Sequence, residues 1–170
     1  MRYRSVLALL LLAGCGAAAR NANAERDFAA KARALDGDTI AADFRLLGVD
    51  AFERRQQCQR GATCWACGKA AQDLAARTLR EGDAQITLSS QTSYGRPVAT
   101  VTVAGRDLGE TMILNGLAIP QPQYLKSDGA RLARYQRAFE QAKRAKAGAF
   151  AGQWIEPPLW RRGQRLSCER

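Results

Sequence analysis

Asp36-Gly37-Asp38-Thr39-Ile40-Ala41-Ala42-Asp43-Phe44-Arg45-Leu46-Leu47-Gly48-Val49-Asp50-Ala51-Phe52-Glu53 sets acidic residues at both ends of an apolar run that carries a single arginine. Asp-Gly-Asp is a turn signal. Residues 39–49 read as extended chain, with Ile40, Ala42, Phe44 and Leu46 on one face by period two and Asp43 marking a tight reversal. Asp38 and Asp50 then fall at the ends of neighbouring strands, a pair of oxygen donors suited to a hard divalent cation. An inward-facing Arg45 in an apolar strand needs an anionic partner, because a buried unpaired charge is costly. Phosphate is such a partner, and the planar guanidinium matches it in a fork. Glu53, one short turn beyond Asp50, is placed to activate a water molecule. Taken singly, each residue is an ordinary turn aspartate or surface ion pair. The set in this order points to phosphodiester chemistry.

Working outward, residues 28–35 read as a strand before the turn. Residues 66–80 read as a helix with Ala70, Ala71, Leu74, Thr78 and Leu79 inward and Gly82 as its stop. Strands follow at 83–90 and 98–103, with Tyr94-Gly95-Arg96 between them. A short helix spans 108–114, closed by Asn115-Gly116, and a long one spans 129–148 with Leu132, Tyr135, Phe139 and Ala142 at helical spacing. Residues 154–160 form an irregular aromatic tail. Short strands interrupted by one helix suit a small barrel, an α+β arrangement.

Composition narrows the chemistry. The 170 residues suit one domain, and a formal charge of +10 favours polyanionic partners. Histidine is absent, which excludes Ser-His-Asp hydrolases, Cys-His proteases, HExxH metalloproteases and any nuclease with a histidine base. Residues 1–15 read as a signal peptide: Arg2 and Arg4, then an apolar run too short to span a bilayer, then Leu12-Ala13-Gly14-Cys15. That ending is similar to a bacterial lipobox, which implies Cys15 as the lipidation site; ordinary signal cleavage at the small-x-small site Ala22-Asn23-Ala24 is the alternative. Residues 16–26 form a tether. An exported chain in the cell envelope, lipid-anchored or periplasmic, or secreted, is the expectation. Cys58, Cys64, Cys67 and Cys168 remain, an even number for an oxidising compartment, and three pairings are open. Cys64-x-x-Cys67 also has the spacing of a redox motif or half a zinc site, though no second close pair completes the latter.

Asp-Gly-Asp-Thr, Phe-Arg-Leu-Leu-x-Val-Asp-x-x-Glu and Tyr-Gly-Arg resemble the three active-site blocks of the thermonuclease (staphylococcal nuclease-like) family, over residues 28–150. The resemblance implies an OB-fold-like five-stranded β-barrel with three packed α-helices in residues 27–150, followed by an aromatic and basic tail at 151–170. It implies a monomeric, calcium-dependent endonuclease acting on DNA, RNA or both. Asp38 and Asp50 would bind Ca²⁺ by carboxylate and Ala51 by its backbone carbonyl, with Asp36 supporting from behind. Arg45 and Arg96 would clamp the phosphate, Glu53 would serve the attacking water, and Tyr94 and Tyr124 would contact substrate. Against the family pattern, Ala51 replaces threonine, Phe52 replaces proline, Ser93 replaces lysine, and the stretch between Thr39 and Phe44 is short. The cysteine loop resembles that of exported members and implies Cys58–Cys67, leaving Cys64 for Cys168. Two other functions compete: a thermonuclease-like module that binds nucleic acid or protein without cleaving, and a thiol-disulfide protein built on Cys64 and Cys67, which lacks the βαβ order.

Overall fold

A computed structural model describes residues 29–169. The signal segment, Cys15, the tether and Phe28 lie outside the described residues. β1 (Ala32–Ala34) and β2 (Ile40–Ala42) pair antiparallel as a hairpin with no third strand among the described residues. Its turn is the expected one: the Asp36 carboxylate accepts the N–H of Asp38 at 3.2 Å and of Thr39 at 2.8 Å. Ile40 is 72% exposed, so the period-two face at this end covers no core. The single extended run breaks into β2, β3 (Arg45–Leu46) and β4 (Val49–Ala51). Gly48 makes the second break at φ +67°, and a Cβ there would lie 2.4 Å from the Leu125 side chain.

β5 (Cys58–Arg60) and β6 (Thr63–Trp65) form a hairpin within the cysteine loop that periodicity did not reveal. After α1 (Cys67–Leu79), β7 (Ala84–Ser93) pairs antiparallel with β8 (Arg96–Val103). β8 takes β3 in parallel on its other edge and folds back on β9 (Arg106–Asp107). β10 (Ala118–Pro120) pairs antiparallel with β4. The remaining helices are α2 (Leu108–Leu114), α3 (Gly129–Arg144) and α4 (Pro157–Arg161). The molecule is α+β as expected, with ten short strands and four helices among the described residues in place of five and three.

The main core gathers Val101 and Val103 of β8, Leu108, Met112 and Ile113 of α2, Tyr135 and Ala138 of α3, and Leu125. On α1, Ala71 and Thr78 are buried as expected, but Leu79 is 44% exposed at the helix end. Asp107 caps α2 by accepting Glu110 N–H at 3.0 Å. It also accepts the Tyr135 hydroxyl at 2.8 Å and pairs with Arg131, which donates to Asp128 at 3.0 Å. This network bolts α3 to the start of α2.

A second small core holds Phe52, Cys58, Cys67 and Ala149, with Trp65, Phe150 and Trp154 packed on it. Disulfides join Cys58 to Cys67 and Cys64 to Cys168, the pairing that the resemblance implied. Gly68 lies where α1 meets the loop after β4, and a Cβ on it would sit 1.6 Å from the Glu53 carbonyl oxygen. Alanine normally favours a helix interior over glycine by about 1 kcal/mol. Here a clash with rigid backbone outweighs that gain. Gly68→Ala is expected to destabilise by about 3 kcal/mol, measured by urea unfolding, and a stabilised variant would refute the contact.

Candidate active site

Side-chain alternation aims the site. In β4, Val49 and Ala51 pack toward the main core, so Asp50 between them points to the opposite side and is 8% exposed. In β3, Leu46 packs inward and Arg45 points away. Arg45 stands opposite Val98 of β8, and Arg96 lies two residues before Val98 on the same strand. Both arginines therefore leave the same face of the sheet. Arg45, Asp50, Tyr94 and Tyr124 line one cleft. Tyr94 sits at the β7–β8 turn with φ +51° and is 91% exposed. Tyr124 belongs to the 3₁₀ turn Pro122–Tyr124, tied to β7 by Gln91 Nε2 donating to its carbonyl at 3.1 Å. Two exposed aromatic rings thus line the cleft.

Arg45 Nε is buried and has no hydrogen-bond partner. Neither Arg45 nor Arg96 forms an ion pair among the described residues. A desolvated guanidinium nitrogen with nothing to donate to is costly, and an anion entering the cleft would satisfy it.

The carboxylates are arranged differently from expectation. Asp50 and Glu53 come together on Arg161, at the end of α4. Its Nη1 donates to Asp50 Oδ1 at 3.0 Å and to Glu53 Oε1 at 2.7 Å, and its Nη2 donates to Asp50 Oδ2 at 2.8 Å. The hydrogen bonds to Asp50 raise the Arg161 pKa above its ordinary value despite partial burial, with Glu53 adding to the effect. Arg161 was missed because nothing in its local pattern marks it. The available signals were Pro157-Pro158, which suit a helix start, and Cys168, which must return to a distant partner.

Asp36 and Asp38 stay in the exposed β1–β2 turn, where Asp38 Oδ1 accepts from Thr39 Oγ1 at 3.2 Å. Hydrogen bonding from Thr39, then from Asp38, holds the Asp36 carboxyl below its ordinary pKa. The structure does not bring Asp38 to Asp50: the hairpin has no core residue and no third strand to dock it, and no group of three potential metal ligands occurs among the described residues. The carboxylates of Asp50 and Glu53 are the oxygen donors that could hold a metal. They already converge on one cation, the Arg161 guanidinium, which shows that their charges are directed to a common point.

Gln56 was also missed. It is fully buried, accepts Glu53 N–H at 3.1 Å and donates to the Ile155 carbonyl at 2.6 Å. It fixes the Glu53 turn to the C-terminal segment. Phe52 does the same through packing, edge-on to Trp154 with ring centroids 5.8 Å apart, so the departure from proline at this position serves the second core.

A model of the family described as staphylococcal nuclease homologue matches residues 43–151. That span holds Arg45, Asp50, Glu53, Tyr94, Arg96 and Tyr124, and leaves out Asp36, Asp38 and Arg161. No curated protein matches the chain. The family domain is an OB-fold, and the strands and helices above are its α+β elements with a local difference in strand count. With more than half of its length matched, and with Arg45, Asp50, Tyr94 and Tyr124 of the matched span lining one cleft, the chain belongs to the staphylococcal nuclease homologue family.

Proposed function

We propose that the protein is a calcium-dependent endonuclease that hydrolyses phosphodiester bonds of DNA, RNA or both. The observation that carries this is the cleft itself, where a buried, partnerless Arg45 Nε faces the same space as the Asp50 carboxylate. Arg45 and Arg96 grip the non-bridging phosphate oxygens and favour the charge that builds there in the transition state. Glu53 accepts a hydrogen bond from the attacking water and takes its proton. The water oxygen bonds to phosphorus, the ester P–O bond breaks, and a proton goes to the departing alcohol. Tyr94 and Tyr124 offer flat faces to the flanking bases. Asp50 and the Ala51 backbone carbonyl would hold the calcium ion, which when bound would supply positive charge to the phosphate oxygens, with Glu53 beside it for the water. Asp38 would join them only if the β1–β2 hairpin folds over the cleft.

The chain is proposed to be exported and monomeric, with Cys15 as a lipid anchor to the membrane. Two disulfides among the described residues support an oxidising compartment. A second reading, a nucleic-acid-binding module without cleavage, is favoured by one observation: Arg161 already engages both oxygens of Asp50. The deciding assay is cleavage of plasmid and of a single-stranded oligonucleotide, with calcium and then with chelator. Products that appear with calcium and vanish with chelator support the nuclease. Binding without cleavage in calcium, magnesium or manganese supports the second reading.

A further inference from the structure

The C-terminal segment lies beyond the part of the chain that matches the family, yet its helix α4 ends on the site carboxylates. It is held there by independent ties. Cys168 is bonded to Cys64, and Gln59 and Gln153 exchange backbone hydrogen bonds at 2.8 and 3.0 Å. Gln56 holds Ile155, and Trp160 Nε1 donates to Glu169 at 3.4 Å. Arg161 is thus a placed group, not a surface side chain resting on the nearest acid. Its fork takes both Asp50 oxygens and one of Glu53, while its own side chain stays 39% exposed at the cleft.

With Arg161 forked onto both Asp50 oxygens, a divalent cation cannot take that carboxylate bidentately and must compete with the guanidinium for it. Like charges repel strongly at such a distance in a partly desolvated site. We propose that Arg161 is a built-in counter-ion, holding Asp50 and Glu53 together until a divalent cation displaces it from Asp50, so that the C-terminal segment sets the cation affinity of the site. This rests on the reading that Asp50 takes part in cation binding. Arg161 is a positioning residue in this scheme. Its exposure leaves it room to withdraw into the cleft that Arg45 also lines.

Two effects of removing Arg161 oppose each other. Loss of the competitor strengthens cation binding. Loss of the clamp lets the carboxylates spread and weakens it. The first dominates, because removing a positive charge in direct contact with the ligand oxygens changes the Coulomb energy more than a modest gain in side-chain freedom does. The test is calcium titration calorimetry on the oxidised full chain, with Asp50→Asn as the control for site occupancy. Arg161→Ala is expected to bind calcium at least tenfold more tightly than the unmodified protein. Arg161→Lys, which keeps the charge but not the fork, should fall between them. In the unmodified protein, the ¹⁵N signal of Arg161 Nε should shift on calcium addition. This measurement stands even if a variant folds poorly. Equal or weaker binding by Arg161→Ala, or an unmoved Arg161 signal with calcium bound through Asp50, overturns the inference and leaves the nuclease reading intact. Absence of calcium binding by both proteins, or binding that survives Asp50→Asn, overturns the inference and the calcium assignment together.

Discussion

Arg45→Lys is expected to lower turnover by about two to three orders of magnitude, the usual loss when one preorganised charge donor is removed from a phosphoryl or acyl transition state. Lysine preserves the charge, so long-range attraction of the substrate should survive. It loses the planar fork and the Nε–H that is buried without a partner. Phosphate is the natural acceptor for that N–H, and the interaction strengthens as negative charge grows on the phosphate oxygens. Stability should move the other way. An unpartnered buried donor is a penalty in the substrate-free protein, so Arg45→Met should be as stable as the parent or more stable, by about 1 kcal/mol. Single-turnover cleavage of a defined oligonucleotide, beside urea unfolding of both variants, reads the two effects separately. Near-native turnover in Arg45→Lys would remove Arg45 from the site. A large loss of stability in Arg45→Met would make it a structural residue instead.

Asp107→Ala should cost about 2–3 kcal/mol of folding stability, below the range for a fully buried ion pair because this pair is partly exposed. Asp107 and Arg131 have side chains 12% and 15% exposed. Removal of the carboxylate leaves the Tyr135 hydroxyl and part of the Arg131 guanidinium without acceptors, and uncaps α2 at Glu110 N–H. Arg131 keeps Asp128, which limits the loss. Asp107→Asn retains an oxygen acceptor at the cap and should cost less, about 1–2 kcal/mol. Tryptophan fluorescence in a urea series gives both values. A loss below about 1 kcal/mol for Asp107→Ala would show that Arg134 with Glu110 carries the joint between α2 and α3.

Local physics decided what the sequence could reveal. α2 spans 108–114 as its pattern indicates, because an aspartate cap and a closing Asn-Gly fix both ends. Asp50 was legible as part of the block that resembles the family's motif, but its direction was not. Period two over Ile40, Ala42, Phe44 and Leu46 puts it on their face, and the break at Gly48 resets the alternation and turns it away from the core. Ile40 was misjudged because period two states only that a strand has two faces, not that a core lies against either. The β5–β6 hairpin escaped notice because its strands are three residues each, too short to show alternation. Arg161 was illegible for another reason. Its partner Asp50 is 111 residues away, and the tie exists only after the tail has been carried across the molecule. Of the candidate site, the arginine and carboxylate blocks were legible through their resemblance to the family's motifs, while the cation that joins the carboxylates was not.

The Cys64–Cys168 bond closes a ring of sequence separation 104 that runs from β6 to the C-terminal segment, whereas Cys58–Cys67 spans only 9. Synthesis runs from the N-terminus, and chains begin to fold as they emerge. The short ring can close while the second half of the barrel is still being made. The long ring waits for Cys168, and Arg161 emerges only just before it. The nascent protein therefore acquires its acidic pair, its arginines and its two cleft tyrosines well before the residue that covers the acids. Wherever the protein matures, its cleft passes through an interval in which Asp50 and Glu53 stand uncovered, and docking of the C-terminal segment with Arg161 ends it.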